Sequence, residues 1–189
     1  MTDFADPTRP IAMSFLSGRG HYDTVVKKVQ EARVSVWIAT ANLKGLLVEE
    51  ARVGRRRGKW RPVMDRFREL ADQGVELRIL HAGHPSRAFR ADFDSHPVLV
   101  KGGLVLKQCP RLHFKTVIVD GRGLYLGSAN WTGAGLGGKS ASRRNFELGF
   151  WSEDEGLLDR VQGLYEHLWQ GGECGGCGRR DTCGAPLDL

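Results

Sequence analysis

An α/β domain, with a mixed central β-sheet flanked by helices, is the architecture this sequence predicts, and three observations carry the prediction. Helix-period and strand-type segments alternate twice in the first half of the chain. Short β-type runs crowd the stretch after Val98. A last amphipathic stripe closes the pattern before a tail rich in glycine and cysteine. Alternation of this kind implies a sheet covered by helices.

The elements follow in order. DTVVKKVQEAR, residues 23–33, sets Val25, Val26 and Val29 at helical spacing, and the β-branched VSVWIATANL after it reads as a buried strand. WRPVMDRFRELADQ, residues 60–73, repeats apolar side chains at Val63, Met64, Phe67, Leu70 and Ala71 until Gly74 stops it. VELRILHAG is the strand that follows. Beyond Val98, the runs LVLKQC, LHFKTVIVD, GLYLGSAN and NFELGFWS are separated by Gly, Arg and Asn turn signals. The final helix fits EDEGLLDRVQGLYEHLWQ, where Leu157, Leu158, Val161, Leu164, Tyr165 and Leu168 form one stripe. These boundaries give a main domain over residues 1–170 and a short Cys-rich C-terminal tail over 171–189.

Composition narrows the functional class. A chain of 189 residues, 41% apolar and 26% charged, forms a globular domain with a substantial core. Its 28 Lys and Arg against 22 Asp and Glu leave a charge of +6, which favours a phosphate-rich partner, either nucleic acid or an anionic membrane surface. No apolar run approaches the length of a spanning helix, and MTDFADPTRPIAMSF lacks the basic start and apolar core of a signal peptide. The expectation is a cytoplasmic protein.

HFKTVIVDGRGLYLGSAN, His113 to Asn130, concentrates the chemistry. Side chains alternate across a strand, so His113 and Lys115 share a face, as do Ser128 and Asn130, and Asn145 and Glu147. A lone strand histidine is usually packed and hydrogen-bonded, and a Ser-x-Asn is usually turn chemistry. Three such pairs on neighbouring segments point instead to one shared polar patch.

The order His113-x-Lys115, four residues to Asp120, six more to Gly127-Ser128-x-Asn130, then Asn145-x-Glu147, closely resembles the HKD motif of the phospholipase D superfamily. VWIATANL resembles the family's opening, so the likeness runs to the last helix. The resemblance implies a phosphodiesterase in which His113 attacks phosphorus to form a phosphohistidine. Lys115 and Asn130, with Ser128, would hold the charged oxygens, and Glu147 would orient the imidazole through its other nitrogen. Asp120 belongs to the motif, but its odd separation from His113 and Lys115 turns it to the other face, which suits a structural or hydrogen-bonding role. Lysine and amide donors stand where a cation otherwise would, so the scheme needs no cofactor for catalysis.

The family's site normally takes two such motifs, the second histidine serving as acid and then base. One motif and no internal repeat imply a homodimer with a two-fold axis through the site, as in the family's small bacterial nucleases.

Three further features surround the motif. GAGLGGKSASRR, residues 133–144, contains G-x-G-x-x-G but lacks the strand context of a dinucleotide site; Lys139, Arg143 and Arg144 are candidates to contact phosphates at a cleft rim, or the loop is a solvated connection. RRRGKWR joins Arg55, Arg56 and Arg57 to Trp60, suiting a nucleic-acid backbone and a stacked base, with a solvated charge run as the alternative. Cys109, Cys174, Cys177 and Cys183 are candidate ligands for a structural zinc or iron-sulfur cluster, with disulfides, free thiols or a redox pair as alternatives. His21, His81, His84, His96 and His167 read as surface or satisfied core residues.

The leading expectation is a metal-independent nuclease. A lipid phosphodiesterase or phosphatidyl transferase would use the same chemistry on a membrane lipid. A nucleic-acid-binding module that has lost turnover is the alternative of another class.

Overall fold

The computed structural model describes residues 5–50 and 59–188. From the N-terminal side, β1 (Ser14–Ser17) leads to a wide helical turn (Tyr22–Val26) that continues as α1 (Lys27–Gln30). β2 (Ser35–Thr40), β3 (Leu47–Glu49), β4 (Trp60–Pro62), α2 (Val63–Asp72), β5 (Glu76–His81) and α3 (Arg87–Asp94) follow. A second wide turn (Leu99–Gly103) precedes β6 (Val105–Gln108), β7 (Lys115–Val119) and β8 (Gly123–Gly127). β9 (Leu148–Ser152) and α4 (Glu155–Trp169) complete the domain.

One mixed sheet of seven strands runs in the order β1, β9, β8, β7, β2, β5, β6. β2, β5 and β6 are parallel, whereas β7, β8, β9 and β1 pair antiparallel and join them through β2. Alternation divides each strand between two cores. On one face Val36, Ile38, Ile79 and Val117 meet Val25 of the first wide turn, Val29 of α1, and Met64, Phe67 and Leu70 of α2. On the other, Ala39, Leu80, Ile118 and Leu124 meet Leu158, Tyr165 and Trp169 of α4. The predicted architecture is thus observed as helices on both faces of a mixed sheet.

Some boundaries differ from expectation. Trp60–Pro62 form a strand paired with β3 rather than the start of α2. The residue before a proline is forced to extended backbone, so Arg61 keeps the helix from beginning before Pro62. α3 was invisible to the hydrophobic pattern because Phe89 is the buried residue of its eight; Ser86 caps it, accepting from the Phe89 N–H at 3.3 Å. β1 is a four-residue edge strand with only Leu16 buried.

The hairpin between β7 and β8 turns through Asp120 and Gly121, at φ 56° and 60°, a pairing that matches the twist of the flanking strands. The Asp120 carboxylate accepts from the Val34 N–H at 2.7 Å, the Ser35 N–H at 3.0 Å and the Arg33 N–H at 3.0 and 3.1 Å. One side chain thereby ties the hairpin to the entry of β2.

Glu69 on α2 plays a similar part elsewhere. It accepts from Arg61 of β4 and from Arg66 at 3.0 Å, while Arg66 Nε donates to the Gln30 carbonyl at 2.7 Å. The Arg61 hydrogen bond above all, with Arg66 behind it, holds the Glu69 carboxyl down at about 2. A carboxyl depressed by folding stabilises above its ordinary value and loses that contribution as the pH falls through the folded value. Glu69→Gln should therefore lower the unfolding free energy by about 1–2 kcal/mol at neutral pH, discounted for partial exposure. Urea titrations should show the gap closing between pH 4.5 and about 2.

Candidate active site

Antiparallel pairing brings the start of β7, the end of β8 and the start of β9 to one edge. Lys115 lies opposite Gly127, and Gly127 opposite Gly149. β2 runs antiparallel to β7, so its carboxyl end reaches the same edge, as do those of β5 and β6. Open α/β sheets bind ligands at the carboxyl ends of their parallel strands.

Of the motif side chains, Lys115 alone stands on the ladder. His113, Ser128, Asn130, Asn145 and Glu147 occupy residues before or after the strands. They nevertheless gather at this edge, because the Ser128 N–H donates to the Leu148 carbonyl at 2.9 Å and prolongs the pairing.

Two glycines make that register attainable. A Cβ on Gly127 would come within 2.3 Å of the Tyr125 hydroxyl, and one on Gly149 within 2.5 Å of Tyr125 Cε2. The tyrosine ring lies across both positions. Its hydroxyl accepts from the Ala129 N–H at 3.2 Å, its ring meets the buried His21 edge-on at 5.6 Å, and burial pushes its pKa up to about 12. Burial likewise lowers the pKa of His21, so both groups are neutral at neutral pH.

Asn130 is held from the side of β2. Its Oδ1 accepts from the Asn42 N–H at 2.9 Å and lies 3.2 Å from the Thr40 hydroxyl, which also accepts from the Trp131 N–H at 2.9 Å. A backbone donor fixes which amide atom is oxygen, so Nδ2 is the group left to donate to a ligand. Asn42, Lys44, Asn130, Lys139 and Asn145 line a cleft of about 420 Å³ here.

Glu147 departs from expectation. Ser128 donates to one carboxylate oxygen and Asn145 Nδ2 to the other, the latter at 3.0 Å, so Glu147 anchors the polar pairs rather than the His113 ring. His113 is solvent-exposed, with Nδ1 3.4 Å from Lys115 Nζ, which also donates to the His113 carbonyl at 2.5 Å. A lysine only donates, so in this arrangement the neutral imidazole carries its proton on Nε2. The lead-in position of His113, free of the ladder, gives its ring this latitude.

Asp120 is at the far end of β7, in the hairpin turn, and does not join the cleft. Of the residues in the motif it is the one set apart from the others, and its carboxylate serves backbone N–H groups, a structural rather than a catalytic place.

The basic candidates separate. Lys139 lines the cleft; Gly133, Gly135 and Gly137 are buried in the first part of this loop, whereas residues 139–143 are exposed. Arg143 is exposed on a single helical turn, and the Arg144 Nε is buried without a hydrogen-bond partner. Trp60 is outside the set of cleft-lining residues; it packs on Tyr22 at 5.6 Å with the Arg19 guanidinium 5.5 Å from its ring. Arg55, Arg56 and Arg57 lie outside the described residues. Asn42 and Lys44 were missed as cleft residues; their position straight after a buried parallel strand was the available signal.

Among the described residues no group of three or more His, Cys, Asp and Glu side chains is already closed around a metal-ion position. Cys109, Cys174, Cys177 and Cys183 are free and partly buried. The Arg179 backbone N–H and then the Arg111 guanidinium hold the Cys177 thiol below its usual range.

An apolar strip adjoins the motif. Phe146, between Asn145 and Glu147, is 106% exposed, and Leu148, Phe150 and Phe15 share one face of β9 and β1, with Leu148 and Phe15 also exposed.

Residues 25–169 match the family model described as cardiolipin synthase, PLD-like domain. The chain belongs to the phospholipase D family. With that membership it is an enzyme of the phospholipase D superfamily, a phosphodiesterase. Similar solved structures include NucT from Helicobacter pylori, at 16% identity and TM-score 0.58, covering 83% of this chain and 94% of that one. Nuc from Salmonella typhimurium, a phospholipase D family member, gives 16% and 0.59, covering 84% and 95%. Phosphatidylserine synthase from Haemophilus influenzae Rd KW20 gives 10% and 0.58, covering 82% of this chain and 36% of that one. No curated protein sequence matches significantly.

Two outcomes test this phospholipase D site. Asp120→Asn, which tolerates the same positive φ, should lose about 2 kcal/mol of stability yet keep kcat when assayed well below its melting temperature. A kcat loss without a stability loss would return Asp120 to the chemistry. Gly149→Ala should cost about 1–3 kcal/mol by overpacking against Tyr125 and reduce turnover, whereas Gly163→Ala in α4, with open space at its Cβ position, should add about 0.5–1 kcal/mol.

Proposed function

We propose that the chain is a metal-independent nuclease that works as a homodimer through a phosphohistidine at His113. The observation that carries this reading is a half-built site: one His-x-Lys, one Ser-x-Asn and one Asn-x-Glu at an open sheet edge, beside an exposed apolar strip. Phe15, Phe146 and Leu148 supply a surface that a second copy would cover, bringing a second His113 to the first.

In the proposed reaction a His113 imidazole nitrogen attacks phosphorus, and the P–O bond to the leaving group breaks. The partner subunit's His113 gives its proton to that oxygen. A water, deprotonated by the same histidine, then attacks phosphorus, and the P–N bond breaks to return free His113. Lys115 and the Asn130 Nδ2 hold the non-bridging oxygens, where negative charge concentrates in the transition state. No cation enters these steps. The site's imidazole must turn away from Lys115 to attack, a motion its exposed lead-in permits.

Nucleic acid is the substrate class favoured by the +6 charge and by Lys44 and Lys139 in the cleft. Among the described residues no helix is long and apolar enough to cross a membrane. Four free cysteines accord with a cytoplasmic setting.

Labelled single- and double-stranded DNA and RNA, incubated with the protein in excess EDTA, test the proposal. Wild type should cleave at least one polymer, and His113→Ala should be slower by roughly 100- to 10,000-fold. Phe146→Glu should sediment as a monomer and lose turnover with it. Phospholipid cleavage without nucleic-acid cleavage would overturn the nuclease reading in favour of a lipid enzyme; binding of nucleic acid without cleavage, unchanged in His113→Ala, would leave a binding module.

A further inference from the structure

The four cysteines remain outside the chemistry above, and their placement is not random. Cys109 closes β6 and stands four residues before His113; Cys174, Cys177 and Cys183 belong to the tail after α4. The tail folds back so that all four line one small cavity of about 30 Å³. Successive turns wind it there: the Cys174 N–H donates to the Gly171 carbonyl at 2.8 Å, Cys177 to Cys174 at 3.2 Å, Arg180 to Cys177 at 2.9 Å and Cys183 to Arg180 at 3.3 Å.

The sulfurs already carry donors of the kind that surround thiolate ligands. The Leu187 N–H donates to Cys174 Sγ at 3.4 Å, and the Arg111 guanidinium to Cys177 Sγ at 3.6 Å. Arg111, Arg179 and Arg180 also line the cavity, and their charge offsets the two negative charges left by four thiolates on a divalent ion. Arg179 is pinned there by its bond to the Pro110 carbonyl at 3.3 Å.

We propose that Cys109, Cys174, Cys177 and Cys183 bind one zinc ion that fastens the tail to the segment leading into His113. Binding releases the four thiol protons and forms four Zn–S bonds, with no change of oxidation state. Four thiols around one small cavity are the complete donor set of a tetrahedral structural zinc. The thiols ring the cavity without having closed on it, and closure has room: Gly175, Gly176, Gly178 and Gly184 have nothing within 4 Å of a built Cβ. A four-thiolate structural site has no open position, so the ion would take no part in phosphoryl transfer. Its effect would be to hold Pro110 to Leu112, the part of the His113 lead-in that the sheet does not reach.

The test uses the full chain, stripped of metal under reducing conditions and then given Zn²⁺ or Co²⁺ alone. The expected result is about one ion per chain, a thiolate-to-cobalt charge-transfer band with the strong visible absorption of tetrahedral cobalt, and a raised Tm with zinc. Zinc should also protect all four thiols of the wild type from Ellman's reagent, a readout that needs no variant to fold. Cys109→Ser and Cys183→Ser should each weaken retention at least tenfold, whereas His113→Ala should retain the ion fully, which separates this result from the fate of the nuclease reading. Thiols that react equally fast with and without zinc, disulfides in the folded chain, iron as the bound metal, or undiminished zinc in Cys109→Ser would overturn it.

Discussion

A tyrosine ring that occupies the space of two absent side chains sets the register on which this site depends. Tyr125 can lie across the sheet edge only because Gly127 and Gly149 face each other there. A slip of one residue would put a side chain under the ring and reverse every facing along the slipped strand. Lys115, Ser128 and Glu147 would then no longer meet. The glycine of the Gly-Ser-x-Asn run is thus a packing requirement before it is a signature.

The hairpin built on that register is pinned to β2 at both ends by unlike means. At the closed end, the Asp120 carboxylate gathers the N–H groups of Arg33, Val34 and Ser35. At the open end, the Asn130 amide is fixed by Asn42 and Thr40. Between them runs the ladder from Val36 opposite Val119 to Ala39 opposite Thr116. Donors held this way incur little reorganisation when charge develops in front of them, which is the physical basis of electrostatic catalysis. Glu147 extends the same frame through Ser128 and Asn145.

Much of this was legible in the sequence where one period persisted. α4, with its long stripe, β2 as a β-branched run, β5 after the Gly74 stop, and β7 and β8 as short β-type runs all declared themselves. β1 and α3 did not, since each offers one fully buried residue and no period can be read from one point. The three polar pairs were legible because alternation places i and i+2 together, yet alternation could not tell that most of them stand beyond the ladder. The partners of Glu147 depend on contacts between strands, which a linear spacing does not contain. The position of Asn42 and Lys44 after a buried parallel strand was legible, but their closeness to Lys139 was not, since it is made by the bridge between Leu43 and Trp131 and the Lys44 N–H that donates to the Trp131 carbonyl at 3.1 Å.

Phe146 sits between two side chains committed to the polar frame, while it points fully to solvent. Along an extended segment, consecutive residues must face opposite ways. Three adjacent codons therefore write two surfaces in alternation. Point substitution at the middle codon can revise the outer surface and spare the inner one. An inserted or deleted residue exchanges the two surfaces at a stroke. A change of length in this segment therefore disturbs both surfaces, whereas a change of identity at its centre disturbs one.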